Sequence, residues 1–319
     1  MKEFIITKND AGQRADRFIS KAVPKLGNGR MYKFLREKKI KLNGKRCEIS
    51  TRLQEGDVLR MYISDEFFET ENSSALDYSD VSADISVVYE DENILLVNKP
   101  QGLVVHEDDE NTRDTLINRI TKYLIDRGEY DPESEQSFAP ALCNRLDRNT
   151  EGIVVCAKNA ESLRILNEAI RERRLHKRYL CAVVGTPREH EATIKTYLEK
   201  VESENTVYVR KEKTPNAKTA ITKYRVLKTS GELSLCEVEL ITGRTHQIRV
   251  HMAYIGCPIL GDGKYGRNEV NRRYHLKAQA LCSHSLGFEI GGGTLGYLDG
   301  RTFVSPEPWF VKEFFDKNT

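Results

Sequence analysis

The sequence predicts an α+β protein built on a mixed, largely antiparallel β-sheet, with a small basic module in front of it. Three observations carry this expectation. Beyond residue 84, strand-like segments outnumber helical ones and do not alternate with them as regular βαβ units. Residues 1–64 hold sixteen Lys and Arg against seven Asp and Glu. Residues 65–93 hold ten acids and no Lys or Arg, so the net charge of +2 conceals a divided chain. We therefore expect a module over residues 1–64, an acidic linker over 65–83 and a main domain over 84–319.

The elements follow in order. Ala11–Ile19 leads into an amphipathic helix with Phe18, Ile19, Ala22 and Val23 on one side. A second helix from Gly29 gathers Met31, Phe34 and Leu35 on one face and Arg30, Lys33 and Arg36 on the other. Ile40–Lys45 alternates into an Asn43-Gly44 hairpin turn, and Val58–Ile63 reads as a closing strand. The linker, through Asn72-Ser73-Ser74 and Asp77, lacks periodicity. Val87–Tyr89 and Ile94–Val97 form a hairpin around Glu90–Asn93, ended by the turn chemistry of Asn98–Gly102. Glu151–Val155 ends in an apolar run that reads as a buried strand. Asn159 caps a helix running to about Arg174, with Leu163, Ile165, Leu166, Ala169 and Ile170 buried. Strands follow over Lys177–Gly185 and over 193–199, 219–227 and 234–242. Thr245 is a candidate cap for a helix that aligns Ile248, Met252 and Ile255. Lys264–Tyr274 reads as a loop, substrate-contacting or merely exposed, and Gly291–Gly293 as a turn.

Composition removes several function classes. No apolar run reaches the roughly 18 residues of a membrane span, and the first residues lack a signal-peptide core. The seven cysteines are odd in number, scattered and without a Cys-x-x-Cys pair, which fits free thiols in a reducing cytoplasm. No zinc spacing, phosphate loop or dinucleotide fingerprint is present, so no metal or cofactor is expected. A monomer is the expected state.

Two clusters carry chemistry. In Asn144-Arg145-Leu146-Asp147-Arg148, an acid sits between two arginines at the mouth of a strand. It reads equally as a reactive carboxylate held ionised by its neighbours or as a structural ion pair. Gly243–Met252 supplies Arg244, His246, Gln247 and Arg249, which read as a functional cluster or as a solvated helix end. Tyr179 follows Lys177 and Arg178 in a strand. It is either packing or a ring on which a base could stack. Lys99 and His106, taken alone, read as surface residues. No second carboxylate accompanies Asp147, so two-acid glycoside hydrolysis is poorly supported. One acid, several arginines and an appended basic module point to RNA.

The pieces Val97–His106, Asn144–Val155, Lys177–Gly185 and Gly243–Asp262, in this order, resemble the RluA-type bacterial RNA pseudouridine synthases, particularly the ribosomal large-subunit synthase C and D group. The first module resembles the alpha-L RNA-binding motif shared with a small-subunit ribosomal protein. The resemblance implies that Asp147 is the catalytic aspartate, Tyr179 the active-site tyrosine that contacts the target base, and Arg249 the arginine paired with the acid. It implies that Arg145 fills the gap left by a flipped base. Lys99, His106, Arg244, His246 and Gln247 are expected to contact substrate, and Arg30, Lys33, Arg36, Lys38, Lys39 and Lys41 to bind RNA. Asn144 and Glu151 depart from the family's usual histidine and small residue.

The implied reaction is isomerisation of uridine to pseudouridine in structured RNA, most simply 23S ribosomal RNA. An isomerisation needs no redox partner, group donor or metal. The rivals are the same reaction on transfer RNA, an RNA-binding ribosome-assembly factor and a nucleoside-releasing glycosidase.

Overall fold

The computed structural model describes residues 1–69, 78–107 and 112–316. The part of the expected linker that includes Asn72–Ser74 and Asp77 lies outside the described residues. The N-terminal part comprises β1 (Lys2–Ile5), α1 (Ala15–Ala22), α2 (Gly27–Arg36), β2 (Ile40–Leu42), β3 (Lys45–Arg46) and β4 (Val58–Met61). Its sheet order is β1-β4-β2-β3. The hairpin turn is as the sequence predicts: Asn43 and Gly44 take φ of 50° and 75°, the left-handed pair that matches strand twist. Phe18, Ile19, Met31 and Leu35 fill the core beneath the two helices. Phe67 and Phe68 pack on that core, with Phe67 6.0 Å from Phe34 and Phe68 6.3 Å from Phe4. The start of the acidic segment thus belongs to the first core rather than to a free spacer.

The larger part contains β5 (Ser86–Glu90), β6 (Ile94–Lys99), α3 (Leu116–Asp126), β7 (Ala141–Leu142), β8 (Glu151–Ala157), α4 (Ala160–Arg171) and β9 (Leu175–Val184). It continues with β10 (Glu191–Val201), β11 (Thr206–Arg210), β12 (Lys218–Ser230), β13 (Leu233–Leu240), α5 (Gln247–Tyr254) and α6 (Asn268–Arg273). It closes with β14 (Leu281–Phe288), β15 (Thr302–Val304) and α7 (Trp309–Phe314). These strands form one eleven-stranded sheet of order β11-β10-β12-β13-β9-β14-β8-β6-β5, with β15 on β14 and β7 on β8. Its described pairings are antiparallel except β8 with β14.

Both faces of the central strands are covered, which explains their unbroken apolar runs. On one face Leu95, Val154, Cys156, Tyr179, Cys181 and Val238 meet α3 and α5. On the other, Leu96, Ile153 and Val155 meet Leu166 and Ala169 of α4, while Leu180 and Ala182 meet Phe310 of α7. Where β8 meets β14, Gly152 has φ 113° and a Cβ there would sit 2.4 Å from the Ser283 carbonyl oxygen. Only glycine permits that approach.

Asn159 caps α4 as expected, its Oδ1 accepting the Ser162 N–H at 2.8 Å. The helix ends at Arg171 rather than Arg174 because Arg173 turns left-handed (φ 61°). Arg174 N–H then closes the end on the Ala169 carbonyl. The two parts of the chain are tied by polar contacts. Asp10 is fully buried and accepts from the Ser137 hydroxyl (2.5 Å) and the Gln136 amide (3.0 Å), while Arg164 donates to the Ala11 carbonyl.

Candidate active site

Asp147 lies in the loop between β7 and β8, where its carbonyl accepts the Thr150 N–H and so turns the chain into β8. Its carboxylate opens onto a cleft of about 930 Å³, lined also by His106, Arg145, Tyr179, Arg244, His246 and Arg249. Arg249 Nη1 donates to Asp147 Oδ2 at 2.8 Å. The other side of the same guanidinium makes two parallel bonds to Asp262, Nε to Oδ2 at 2.7 Å and Nη2 to Oδ1 at 2.9 Å. Asp262 has no exposed surface, and its Oδ1 also accepts the N–H groups of Lys264 (2.8 Å) and Tyr265 (3.0 Å). Burial alone would raise the Asp262 carboxyl, but the Arg249 bonds and charge, with the two N–H donors, hold it below the ordinary value. Burial disfavours the Arg249 charge, and the two carboxylates more than compensate, so its pKa is raised. The guanidinium is therefore a permanently charged, rigid bridge between a buried acid and a cleft acid.

Tyr179 stands on β9 at the floor, 6% exposed. Burial pushes its phenol up to about 12, with the Asp147 charge acting in the same direction, so it is neutral at physiological pH. Arg145 and Arg244 are exposed at the rim, and the Arg244 Nε–H is anchored to the Thr219 carbonyl at 3.1 Å. His106 is exposed at the same cleft. Arg30, Lys33, Arg36, Lys38 and Lys39 are exposed on and just after α2, with Lys41 half-buried beside them on β2.

Two expected substrate contacts have other work. Lys99 is fully buried, and its ammonium donates to the carbonyls of Pro100 (2.8 Å), Leu103 (2.8 Å) and Arg148 (2.9 Å). It braces the loop next to Asp147 instead of facing the cleft. Burial lowers its pKa to about 8 against the pull of Asp147 and Glu151. Gln247 is 2% exposed; its amide nitrogen donates to Ile221 O and Thr222 Oγ1, and its oxygen accepts from Thr242 and Arg244 N. It pins the start of α5 to β12. Thr245 does not cap that helix. The cap position of α5 falls on His246, left-handed at φ 52° and without a capping bond, and the Gln247 side chain accepts the Arg244 N–H in the turn ahead of it.

Sequence reasoning gave no role to Asp262, at the end of the piece Gly243–Asp262, or to Tyr265, within the segment Lys264–Tyr274 read as a loop, and the two complete the site. A signal was available: Gly261, Gly263 and Gly266 surround Asp262, and at Gly261 (φ 80°) a Cβ would meet the Ala278 carbonyl oxygen at 2.0 Å. Glycines crowded around an acid mark a backbone folded tightly onto it. The same segment contains a helical turn, α6, rather than continuous loop.

Residues 93–254 match the model of the RNA pseudouridylate synthase family. Ribosomal large subunit pseudouridine synthase D of Borreliella burgdorferi is 34% identical over 225 residues, spanning 70% of this chain and 65% of that protein. Ribosomal large subunit pseudouridine synthase C of Rickettsia bellii is 33% identical over 83% of this chain and 87% of its own length. Human RNA pseudouridylate synthase domain containing 1 shares the fold, with a TM-score of 0.58 at 24% identity over 72% of this chain and 86% of that one. No helix among the described residues is long and apolar enough to cross a membrane. With the family model covering half the chain and such relatives covering most of it, the chain belongs to the RluA-type RNA pseudouridine synthases, enzymes that isomerise uridine within RNA.

Proposed function

We propose that the substrate is 23S ribosomal RNA, modified in the cytoplasm by a monomer in which Asp147 is the reacting carboxylate. The names of the bacterial relatives support the ribosomal large subunit as target. The observation that carries the role of Asp147 is its position: a half-exposed acid at the cleft, gripped on Oδ2 by a guanidinium that Asp262 locks from behind.

The reaction breaks the C1′–N1 bond, turns the base and makes a C1′–C5 bond; the C5 proton goes to solvent and N1 takes one up, so the product is an isomer of the substrate. The uridine must first leave its stack, since its anomeric carbon is unreachable within a helix. Arg145 at the rim fills the space the base vacates. Asp147 then attacks C1′ or removes the 2′ proton; both routes need an ionised, aimed carboxylate, and Arg249 supplies both conditions. Tyr179 offers its ring to the detached base. Burial raises the pKa of its phenol, so in the resting cleft it meets the base as a neutral, hydrogen-bonding group. His106 and Arg244 contact flanking phosphates or bases, and Arg30, Lys33, Arg36, Lys38, Lys39 and Lys41 hold the RNA backbone.

The test is tritium release from RNA carrying C5-tritiated uridine. Wild type should release tritium from 23S transcripts with pseudouridine in the product, and Asp147→Asn should bind the same RNA and release none. Release from transfer RNA in preference to 23S fragments would overturn the substrate assignment. Equal release by both proteins would remove Asp147 from the chemistry.

A further inference from the structure

Arg249 has an aromatic partner as well as two acidic ones. The Tyr265 ring centroid lies 5.2 Å from the Arg249 guanidinium carbon and 5.6 Å from the His246 ring, edge-on. The Tyr265 hydroxyl accepts the backbone N–H of Val207 in β11 at 2.9 Å and stands 2.8 Å from His246 Nδ1. A phenol has one proton to give. The Val207 bond uses the oxygen as an acceptor and leaves the proton free, and Nδ1 is the acceptor within its reach; with the proton given there, Nδ1 is the unprotonated nitrogen of a neutral ring. The remaining ring hydrogen is fixed on Nε2, and Nε2 lies 3.8 Å from Asp147 Oδ2, the oxygen that Arg249 holds. Burial favours the neutral imidazole, and Arg249 and Lys264 reinforce it against Asp147. The left-handed backbone at His246 is uncommon outside glycine and aims the ring at this spot.

We propose that Tyr265 and His246 are positioning residues of the reaction. Tyr265 sets the His246 tautomer, and the His246 Nε2–H becomes a second donor to Asp147 Oδ2 when RNA seats, leaving Oδ1 to face the ribose. The proposal rests on Asp147 being the reacting acid. A closure of about 0.8 Å brings the pair into hydrogen-bonding range, the kind of tightening that catalytic contacts undergo on substrate binding. Because Tyr265 is held by Val207, the β10–β11 hairpin becomes part of the apparatus that aims the carboxylate.

Steady-state tritium release separates this from a purely structural role. Tyr265→Phe and His246→Ala should each lower kcat about tenfold with unchanged KM and RNA affinity. The double variant should also lose about tenfold, since both act through one bond. His246→Gln, whose amide nitrogen reaches the place of Nε2, should restore most of the rate, and the shorter His246→Asn should not. Wild-type kcat in Tyr265→Phe, a hundredfold loss in the double variant, or equal rescue by Asn would each overturn the relay. Should His246→Ala fail to fold, Tyr265→Phe and the Gln and Asn variants still decide. Asp147→Asn is measured alongside. If it turns over, the assignment of the acid fails and the relay with it; if it is dead while the relay variants are normal, the relay alone fails.

Discussion

Arg249→Met removes the cation between two carboxylates but keeps a long apolar stem in its place. Asp262, with no exposed surface, is left ionised and without its bidentate partner. Breaking a buried pair from one side costs about 3–5 kcal/mol. At about 2–4 °C per kcal/mol for a domain of this size, the melting temperature should fall by about 6–20 °C. Adding Asp262→Asn removes the stranded charge while preserving an acceptor for the Lys264 and Tyr265 N–H groups, so the double variant should regain most of that loss. Activity should not return, because the 2.8 Å bond to Asp147 is absent from both variants. A charge-assisted bond of about 1.5–3 kcal/mol corresponds to a rate loss of roughly 10–150-fold. The pH dependence has a definite sign. The wild-type Asp262 pKa is lowered, so its contribution is present above the unfolded value near pH 4 and is lost as pH falls through the folded value. In Arg249→Met the carboxyl is raised instead, and its penalty shrinks as pH falls towards about 4. The stability gap between wild type and variant should therefore be widest at neutral pH, narrower near pH 4 once the variant's penalty has gone, and closed only as pH falls through the lowered wild-type value. Thermal unfolding by circular dichroism and tritium release measure the two effects. Single and double variants that melt together at neutral pH, or a gap constant with pH, would refute the reasoning.

Three further outcomes are expected. Gly152→Ala, whose Cβ would stand 2.4 Å from Ser283 O at a φ of 113°, should destabilise the fold by about 3 kcal/mol or more, read by urea denaturation. Lys99→Met takes the ammonium away from the Pro100 and Leu103 carbonyls, while the Arg148 carbonyl keeps the Gly102 N–H, and a loss of about 2–3 kcal/mol with kcat falling more than KM is expected; a silent variant would show that the loop beside Asp147 does not depend on it. Neutralising Lys33, Lys38 and Lys39 together should flatten the dependence of log affinity on log salt by about 2–3, measured by filter binding. An unchanged slope would mean that RNA does not cross this face.

What was legible in the sequence was what local rules determine. The Asn43-Gly44 turn, the Asn159 cap and the acidic turn Glu90–Asn93 each declare themselves within a few residues, and Asp91 Oδ1 closes that hairpin by accepting the Asn93 and Ile94 N–H groups. Asp147 and Arg249 come together as the family resemblance implied. Strands β1, β14 and β15 were missed because what makes them strands is a distant partner rather than a strong pattern of their own. Lys99 was misread for a related reason. A lysine beside a turn is normally solvated, and only the folded chain brings three carbonyls around its ammonium. Asp262 and Tyr265 stand 13 and 16 residues beyond Arg249, in no periodic relation to it, so only the packed structure reveals that they share its guanidinium.

The 102 residues that separate Asp147 from Arg249 have a consequence for how the enzyme matures. At a synthesis rate of about 5–20 residues per second, the acid emerges from the ribosome some 5–20 s before its cation, and Asp262 follows later still. During that interval the carboxylate is without the guanidinium that holds it in the folded protein. The β9–β13 ladder and α5 have to be joined before Arg249 can reach it, a late, long-range step that sets folding speed more than stability. Nascent chains released early should therefore bind RNA through their basic N-terminal surface without modifying it, and the appearance of activity times the last stage of folding.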